Sequence, residues 1–289
     1  MNTIRENAYA KLNLSLDVTG KREDGFHDME MVFQLISLKD DITIQIQKGE
    51  GIRVRSTMKY LSDGPDNIAY RCAERFFADS GLHGWEVKIL LNKNIPVGSG
   101  MGGGSADGAA VLRALNRYFG DPLTFDSLLS TAASIGADIP FCLLGGTALA
   151  HGKGEILTSL PPLTQCGFAV VKPSFSVSTP ELFHKLDNIR IMLHPDTEGL
   201  VRAIRLGSIP ETGRRLFNVF EEVLGREKET VDDIKTALFD AGAIGAAMTG
   251  TGSAVFGIFP DGDSTDDAAR KLSEKWPFCR SVRPVSSFV

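Results

Sequence analysis

Cysteine and histidine are scarce in this chain. Its 289 residues include four cysteines, Cys72, Cys142, Cys166 and Cys279, and five histidines. The cysteines lie far apart and form no C-x-x-C pair, which excludes a disulfide framework and a thiolate metal site. Buried, reduced thiols in a cytoplasmic protein are expected. The histidines are scattered too, so no protein-held metal is expected. No apolar run approaches the roughly 20 residues needed to cross a bilayer. The start, Met1-Asn2-Thr3-Ile4-Arg5-Glu6-Asn7, has no apolar core for a secretion signal. An excess of positive charge is also lacking: 31 Lys and Arg stand against 36 Asp and Glu. The net charge of −5 argues against non-specific nucleic-acid binding. Internal repeats and low-complexity tracts are absent. Small molecules are therefore the expected partners, with no nucleic acid and no membrane, and a monomer or weak homodimer is the expected state.

Glycine is plentiful, and its placement is informative. Gly98, Gly100, Gly102, Gly103 and Gly104 crowd one short segment, Ile95-Pro96-Val97-Gly98-Ser99-Gly100-Met101-Gly102-Gly103-Gly104-Ser105-Ala106-Asp107. Trp85, Val87, Ile89 and Leu91 before it alternate as in a strand; Ala106, Ala109, Ala110, Leu112 and Leu115 after it have helical spacing. Such a loop lets backbone N–H groups approach a ligand, and the positive end of the following helix faces the same spot. The expected ligand is a phosphate chain. A Walker A loop is excluded, because no Lys-Ser or Lys-Thr follows the last glycine. Gly98, Gly100 and Gly103 match the dinucleotide fingerprint G-x-G-x-x-G. That unit requires a second parallel strand after its helix, whereas Thr124 to Ile135 reads as another helix.

Strands are expected at 8–19, 42–46, 52–54, 85–92, 168–171, 254–259 and 280–285. Helices are expected from Asp66 as N-cap, at 105–118, 125–135 and 139–144, over most of 180–241, and at 265–275. A hairpin is expected within 146–160. The mixture lacks regular β-α alternation and predicts an α+β fold. Leu160-Pro161-Pro162-Leu163 is the candidate boundary between domains 1–160 and 161–289. In the first strand, Leu12, Leu14, Leu16 and Val18 form a core face. Lys11, Asn13, Ser15 and Asp17 form a polar face that is not expected to be core.

Three motifs in order resemble the GHMP kinases: the first strand, the Pro-x-Gly-x-Gly-x-Gly loop, and a late glycine loop at Gly250-Thr251-Gly252-Ser253. The resemblance runs over essentially the whole chain. It is stronger still to one branch, whose acceptor is a cytidine diphosphate sugar alcohol phosphorylated on its 2-hydroxyl in the non-mevalonate isoprenoid route. That branch carries Ala8-Tyr9-Ala10-Lys11-Leu12-Asn13, Gly25-Phe26-His27, a loop ending Gly102 to Ser105, and Gly136-Ala137-Asp138-Ile139-Pro140-Phe141. Two departures stand out: Phe26 replaces a common Tyr, and Ala106 and Gly108 replace more usual residues.

The resemblance implies a two-domain fold with its active site in the cleft between domains, ATP as phosphoryl donor, and Mg²⁺ as cofactor. Residues 96–106, namely Pro96, Val97, Gly98, Ser99, Gly100, Met101, Gly102, Gly103, Gly104, Ser105 and Ala106, would bind ATP. Ser105 is the candidate Mg²⁺ ligand. Asp138 would be the general base, and an N-cap role before Ile139-Pro140 is equally consistent with its position. Lys11, otherwise readable as a solvated lysine, would pair with Asp138 and lower its pKa. Asn13 and Thr179 would contact the acceptor. Phe26 and Phe183 would hold the cytosine ring between them while His27 reads its edge; a core position in an amphipathic helix is the other reading of Phe183. His151 and His184 are expected at the surface. Within the family, homoserine kinase is the other assignment, and a non-catalytic nucleotide-binding protein of the same fold is a further one.

Overall fold

A computed structural model describes residues 2–288. In chain order its elements are β1 (Asn2–Lys21), β2 (His27–Lys48), β3 (Gly51–Ser56), α1 (Ile68–Ser80), β4 (Trp85–Asn92), α2 (Gly103–Tyr118), α3 (Phe125–Ala133) and α4 (Ile139–Leu144). There follow β5 (Thr147–His151), β6 (Ile156–Leu160), β7 (Gly167–Lys172), α5 (Thr179–Asp187), α6 (Thr197–Arg205), α7 (Ile209–Gly213) and β8 (Phe217–Asn218). A 3₁₀ turn at Val219–Glu222, α8 (Glu227–Asp240), β9 (Gly245–Met248), β10 (Val255–Phe259), α9 (Gly262–Leu272) and β11 (Phe278–Val282) complete the chain. The fold is α+β, as expected.

Residues cluster into two compact units. One comprises Met1–Ala10, Leu38–Ile95 and Gly102–Leu144; the other comprises Lys11–Ser37, Pro96–Met101 and Gly145–Val289. These units are discontinuous in sequence, unlike the linear halves 1–160 and 161–289, because β1 and β2, of 20 and 22 residues, each contribute to both.

In the first unit, β4 pairs antiparallel with residues 41–48 of β2 and parallel with β3. Ile42, Ile44, Ile46, Val54, Val87, Ile89 and Leu91 are buried, which is the period-two core face of a sheet. Helices α1 and α2 pack on each other. Where they meet, a Cβ on Gly108 would stand 2.7 Å from Cys72 Sγ, so this departure from the family pattern has a steric reason. The side chain of Asn67 caps α1 by accepting from the Ala69 N–H at 2.9 Å, one residue beyond the expected Asp66.

In the second unit, β11-β7-β10-β9 form an antiparallel sheet. Every residue of β7 and β10 is buried, so both faces of these strands are covered, and Lys172 at the end of β7 is the charged residue among them. Helix α9 packs on β7 and α8 on β10. The expected hairpin is β5–β6, joined to β2 at residues 31–34. Strand β8 pairs in parallel with β1 at Ser15 and Leu16.

The polar face of β1 differs from expectation. Lys11, Asn13, Ser15 and Asp17 are all less than 5% exposed. Polar partners cover that face: Thr249 on Asn13 and His194 on Asp17, the latter at 2.9 Å.

Candidate active site

The glycine loop leaves β4 and ends where α2 begins, at Gly103 rather than 105. Gly102 is the N-cap, with φ 69°, and no side chain caps the helix. The first amides of α2 are thereby left without a side-chain acceptor, the arrangement that suits an anion. Left-handed φ occurs at Gly98, Gly100 and Gly102. Gly103 is helical instead; what restricts it is a Cβ position 3.1 Å from Ile95 Cγ2 and 3.5 Å from Lys93 Nζ. Gly98, Gly104 and Val97 are exposed, while Pro96 and Ser105 are half-buried. Ser99, Met101 and Ala106 are buried, so their side chains are turned away from solvent.

The second glycine loop packs against the first within one unit. The Ser253 N–H donates to Gly98 O and the Ala254 N–H to Ser99 O at 3.1 Å. A Cβ on Gly100 would lie 2.0 Å from Thr249 O. Asn13 ties β1 to the same place. Its backbone N–H donates to Thr249 Oγ1, and its Oδ1 accepts from the Gly250 N–H at 3.0 Å and from Lys11 Nζ at 2.6 Å. The Lys11 ammonium also lies over the Phe33 ring at 5.1 Å, and the Lys11 N–H donates to Met101 O. Lys11 is thus a buried cation whose head group is fixed by Asn13.

Asp138 directly precedes α4, and its carbonyl accepts from the Cys142 N–H at 3.1 Å. It is half-buried, at the helix start that the sequence suggested.

A cluster of aromatic and charged groups gathers at α5. His27 stacks on Phe183 with ring centroids 4.7 Å apart, and Phe183 meets Phe220 edge-on at 4.9 Å. Asp187 accepts from His27 Nε2 at 2.7 Å and from Lys21 Nζ at 2.5 Å. The hydrogen bond from Lys21, then that from His27, holds the Asp187 carboxyl below the usual carboxylate range. Phe26 is 58% exposed, with Lys153 Nζ 4.7 Å from its centroid. It is therefore His27, rather than Phe26, that lies on Phe183. Thr179 is the first residue of α5, with Ser178 as N-cap, and its hydroxyl is 2.7 Å from that of Thr251.

The model of the GHMP kinases N terminal domain matches residues 67–146, and that of the GHMP kinases C terminal matches 200–277. The 4-diphosphocytidyl-2-C-methyl-D-erythritol kinase of Lachnospira eligens is 40% identical over 279 residues, covering 95% of both chains. The chain belongs to the 4-diphosphocytidyl-2-C-methyl-D-erythritol kinase family. The member from Moorella thermoacetica is 41% identical, covering 96% of this chain and 97% of its own. A crystal structure of 4-(cytidine 5'-diphospho)-2C-methyl-D-erythritol kinase superposes with TM-score 0.80 at 30% identity, covering 96% of this chain and 99% of that one. A homoserine kinase from Cytophaga hutchinsonii shares the fold at 20% identity, with TM-score 0.78 and coverage of 99% and 96%. As a GHMP kinase, the protein is an ATP-dependent small-molecule kinase.

Several residues around the family's motifs escaped the sequence. Thr249 and Asn218 shape the second glycine loop; Asn218 Nδ2 donates to Met248 O and Gly250 O. Asp187 orients His27 from a helix C-terminus 160 residues away. No local spacing marks either. The four cysteines are buried and form no disulfide among the described residues. Burial pushes Cys72 and Cys166 up to about 12 and Cys279 to about 11, which removes them from nucleophilic chemistry. Among the described residues, no group of His, Cys, Asp or Glu could by itself hold a metal, and no helix is long and apolar enough to cross a membrane.

Proposed function

We propose that the chain transfers the γ-phosphoryl group of ATP to the 2-hydroxyl of 4-diphosphocytidyl-2-C-methyl-D-erythritol, in the non-mevalonate route to isoprenoid precursors. Residues 96–106 bind the phosphates, with 1–160 and 161–289 as the family's N- and C-terminal halves. Asp138 takes the proton of the accepting hydroxyl, and Lys11 contributes positive charge to the phosphoryl transfer. Phosphoryl transfer asks chiefly for this positioning and charge balance. Mg²⁺ fits as a hard cation held by ATP oxygens and water, with the Ser105 hydroxyl as the protein's contribution; it neutralises phosphate charge when bound.

The observation that carries the acceptor assignment is the stacked His27–Phe183 pair, its imidazole anchored by Asp187. With the exposed ring of Phe26 and the hydroxyl of Thr179, it offers aromatic surface and hydrogen-bonding edges suited to a pyrimidine. Homoserine or mevalonate requires no such surface. The test is ATP consumption with the cytidyl substrate, homoserine, mevalonate and galactose, using wild type and Asp138→Asn. The cytidyl substrate alone should support turnover, and the variant should lose about 10²–10⁴-fold, the usual contribution of a general base. Near-normal turnover of the variant would reduce Asp138 to a helix cap.

A further inference from the structure

Three charged side chains are buried together in the first unit, and the chemistry above uses none of them. Lys93, Asp40 and Asp107 are 8%, 0% and 3% exposed. Lys93 Nζ donates to Asp107 Oδ2 at 2.6 Å and also to Asp40 Oδ2. Asp40 Oδ1 accepts from the successive backbone N–H groups of Asn94 and Ile95, the latter at 2.8 Å. Asp107 Oδ1 has no hydrogen-bond partner.

Cohesion alone does not explain this cluster. Burying ions costs several kcal/mol each, and well-packed apolar residues commonly hold a core as well or better. Charged groups add direction, because each hydrogen bond fixes an atom in a particular place. The directions here are specific. Asp40 grips the chain at 94–95, where it leaves β4 for the glycine loop. Asp107 lies in the opening turns of α2, where the chain leaves that loop. Lys93 joins the two carboxylates, and its Nζ is 3.5 Å from where a Gly103 Cβ would stand, at the first residue of α2. Five of the eleven residues between these points, 96–106, are glycines, which leaves the backbone many conformations to choose from.

We infer that Lys93 and Asp107, held by Asp40, are positioning residues for ATP: they fix both ends of the glycine loop so that the first amides of α2 point at the phosphates. This rests on reading residues 96–106 as the ATP loop. Small displacements of such a scaffold are expensive, since a misplacement of about 1 Å can cost roughly 10²-fold.

Asp107→Asn is the primary test, because it keeps the shape and leaves the Lys93–Asp40 pair intact. Asp107→Leu is the second variant should the first not fold. Steady-state kinetics with each substrate varied in turn, calorimetric titration with a non-hydrolysable ATP analogue, and melting temperature are measured on both. The expected result is an ATP KM raised about tenfold, matched by weaker analogue binding, with the acceptor KM within about twofold. An unchanged ATP KM in a folded variant overturns the proposal. So does an equal rise in both KM values accompanied by a lower melting temperature, which is the mark of a structural role. If wild type itself consumes no ATP with the cytidyl substrate, the functional reading has failed instead.

Discussion

Phe183 joins packing contacts to the acceptor recognition proposed above. It is half-buried, edge-on to Phe220 on one side and stacked on His27 on another. Stacking a base on an aromatic is worth about 1–3 kcal/mol by alanine substitution. Phe183→Ala should therefore raise the acceptor KM roughly ten- to a hundred-fold, at about 1.4 kcal/mol per decade. The KM for ATP should stay nearly constant. A shift confined to ATP in steady-state kinetics would remove Phe183 from the acceptor site. The helical spacing around Phe183 was legible in the sequence, and the resemblance marked it as functional. Its pairing with His27 was not legible, because the two rings are brought together only by the fold. The same holds for Lys11 and Asn13. Alternation placed both on the polar face of β1 correctly. It could not reveal that Thr249 and Gly250, more than 230 residues later, would cover that face.

At the scale of elements, glycine density marked the segment proposed to bind phosphates, but its individual glycines do different things. Gly100 combines φ +77° with a Cβ position 2.0 Å from Thr249 O. Gly103 is helical and limited by Ile95 and Lys93. Sequence spacing treats them alike, since only three-dimensional neighbours distinguish a backbone constraint from a packing one. Gly100→Ala should force the two glycine loops apart. ATP binding should weaken strongly, with a melting-temperature loss of several degrees, about 2–4 °C per kcal/mol for a chain of this size class. Direct nucleotide titration and thermal melting read both effects. Unchanged nucleotide affinity would mean that the loop tolerates separation. Helix starts were legible to within about three residues: α2 begins at Gly103, where 105 was expected, behind a Gly102 N-cap with no side-chain signal, and α9 begins at Gly262, where 265 was expected.

For the whole molecule, buried charge sets the response to pH. Burial, opposed by Lys93, pushes the Asp107 carboxyl up to about 7. Unfolded aspartate titrates near ~3.9. Between those values the folded chain keeps a proton that the unfolded chain has lost, so stability falls as pH rises through the window and levels off above about 7. Asp17, raised chiefly by burial, acts in the same direction. The depressed surface carboxylates, Asp187 and Asp196 among them, act oppositely and only as pH falls into their acidic range, with strong solvent screening. Thermal melting of wild type should thus give a higher midpoint near pH 5.5 than near pH 8, and Asp107→Asn should flatten most of that difference. An equally steep profile in the variant would assign the effect elsewhere. Leu160-Pro161-Pro162-Leu163 had suggested a boundary between two domains. The charged cluster was invisible, since Asp40, Lys93 and Asp107 share no motif and come from three separate elements of the chain.

The backbone contact between Gly100 and the 249–250 segment also bears on synthesis. Its partners are separated by about 150 positions. A chain emerging from the ribosome N-terminus first will have made its first glycine loop long before the residues that back it exist. Contacts of such long range form late, after the entropy of closing the intervening chain has been overcome. A nascent or truncated chain lacking residues beyond 249 would carry every residue of the nucleotide motif and still lack the surface against which Gly100 is pressed. Nucleotide affinity should consequently arise only with completion of the chain, which would keep unfinished polypeptides from sequestering ATP.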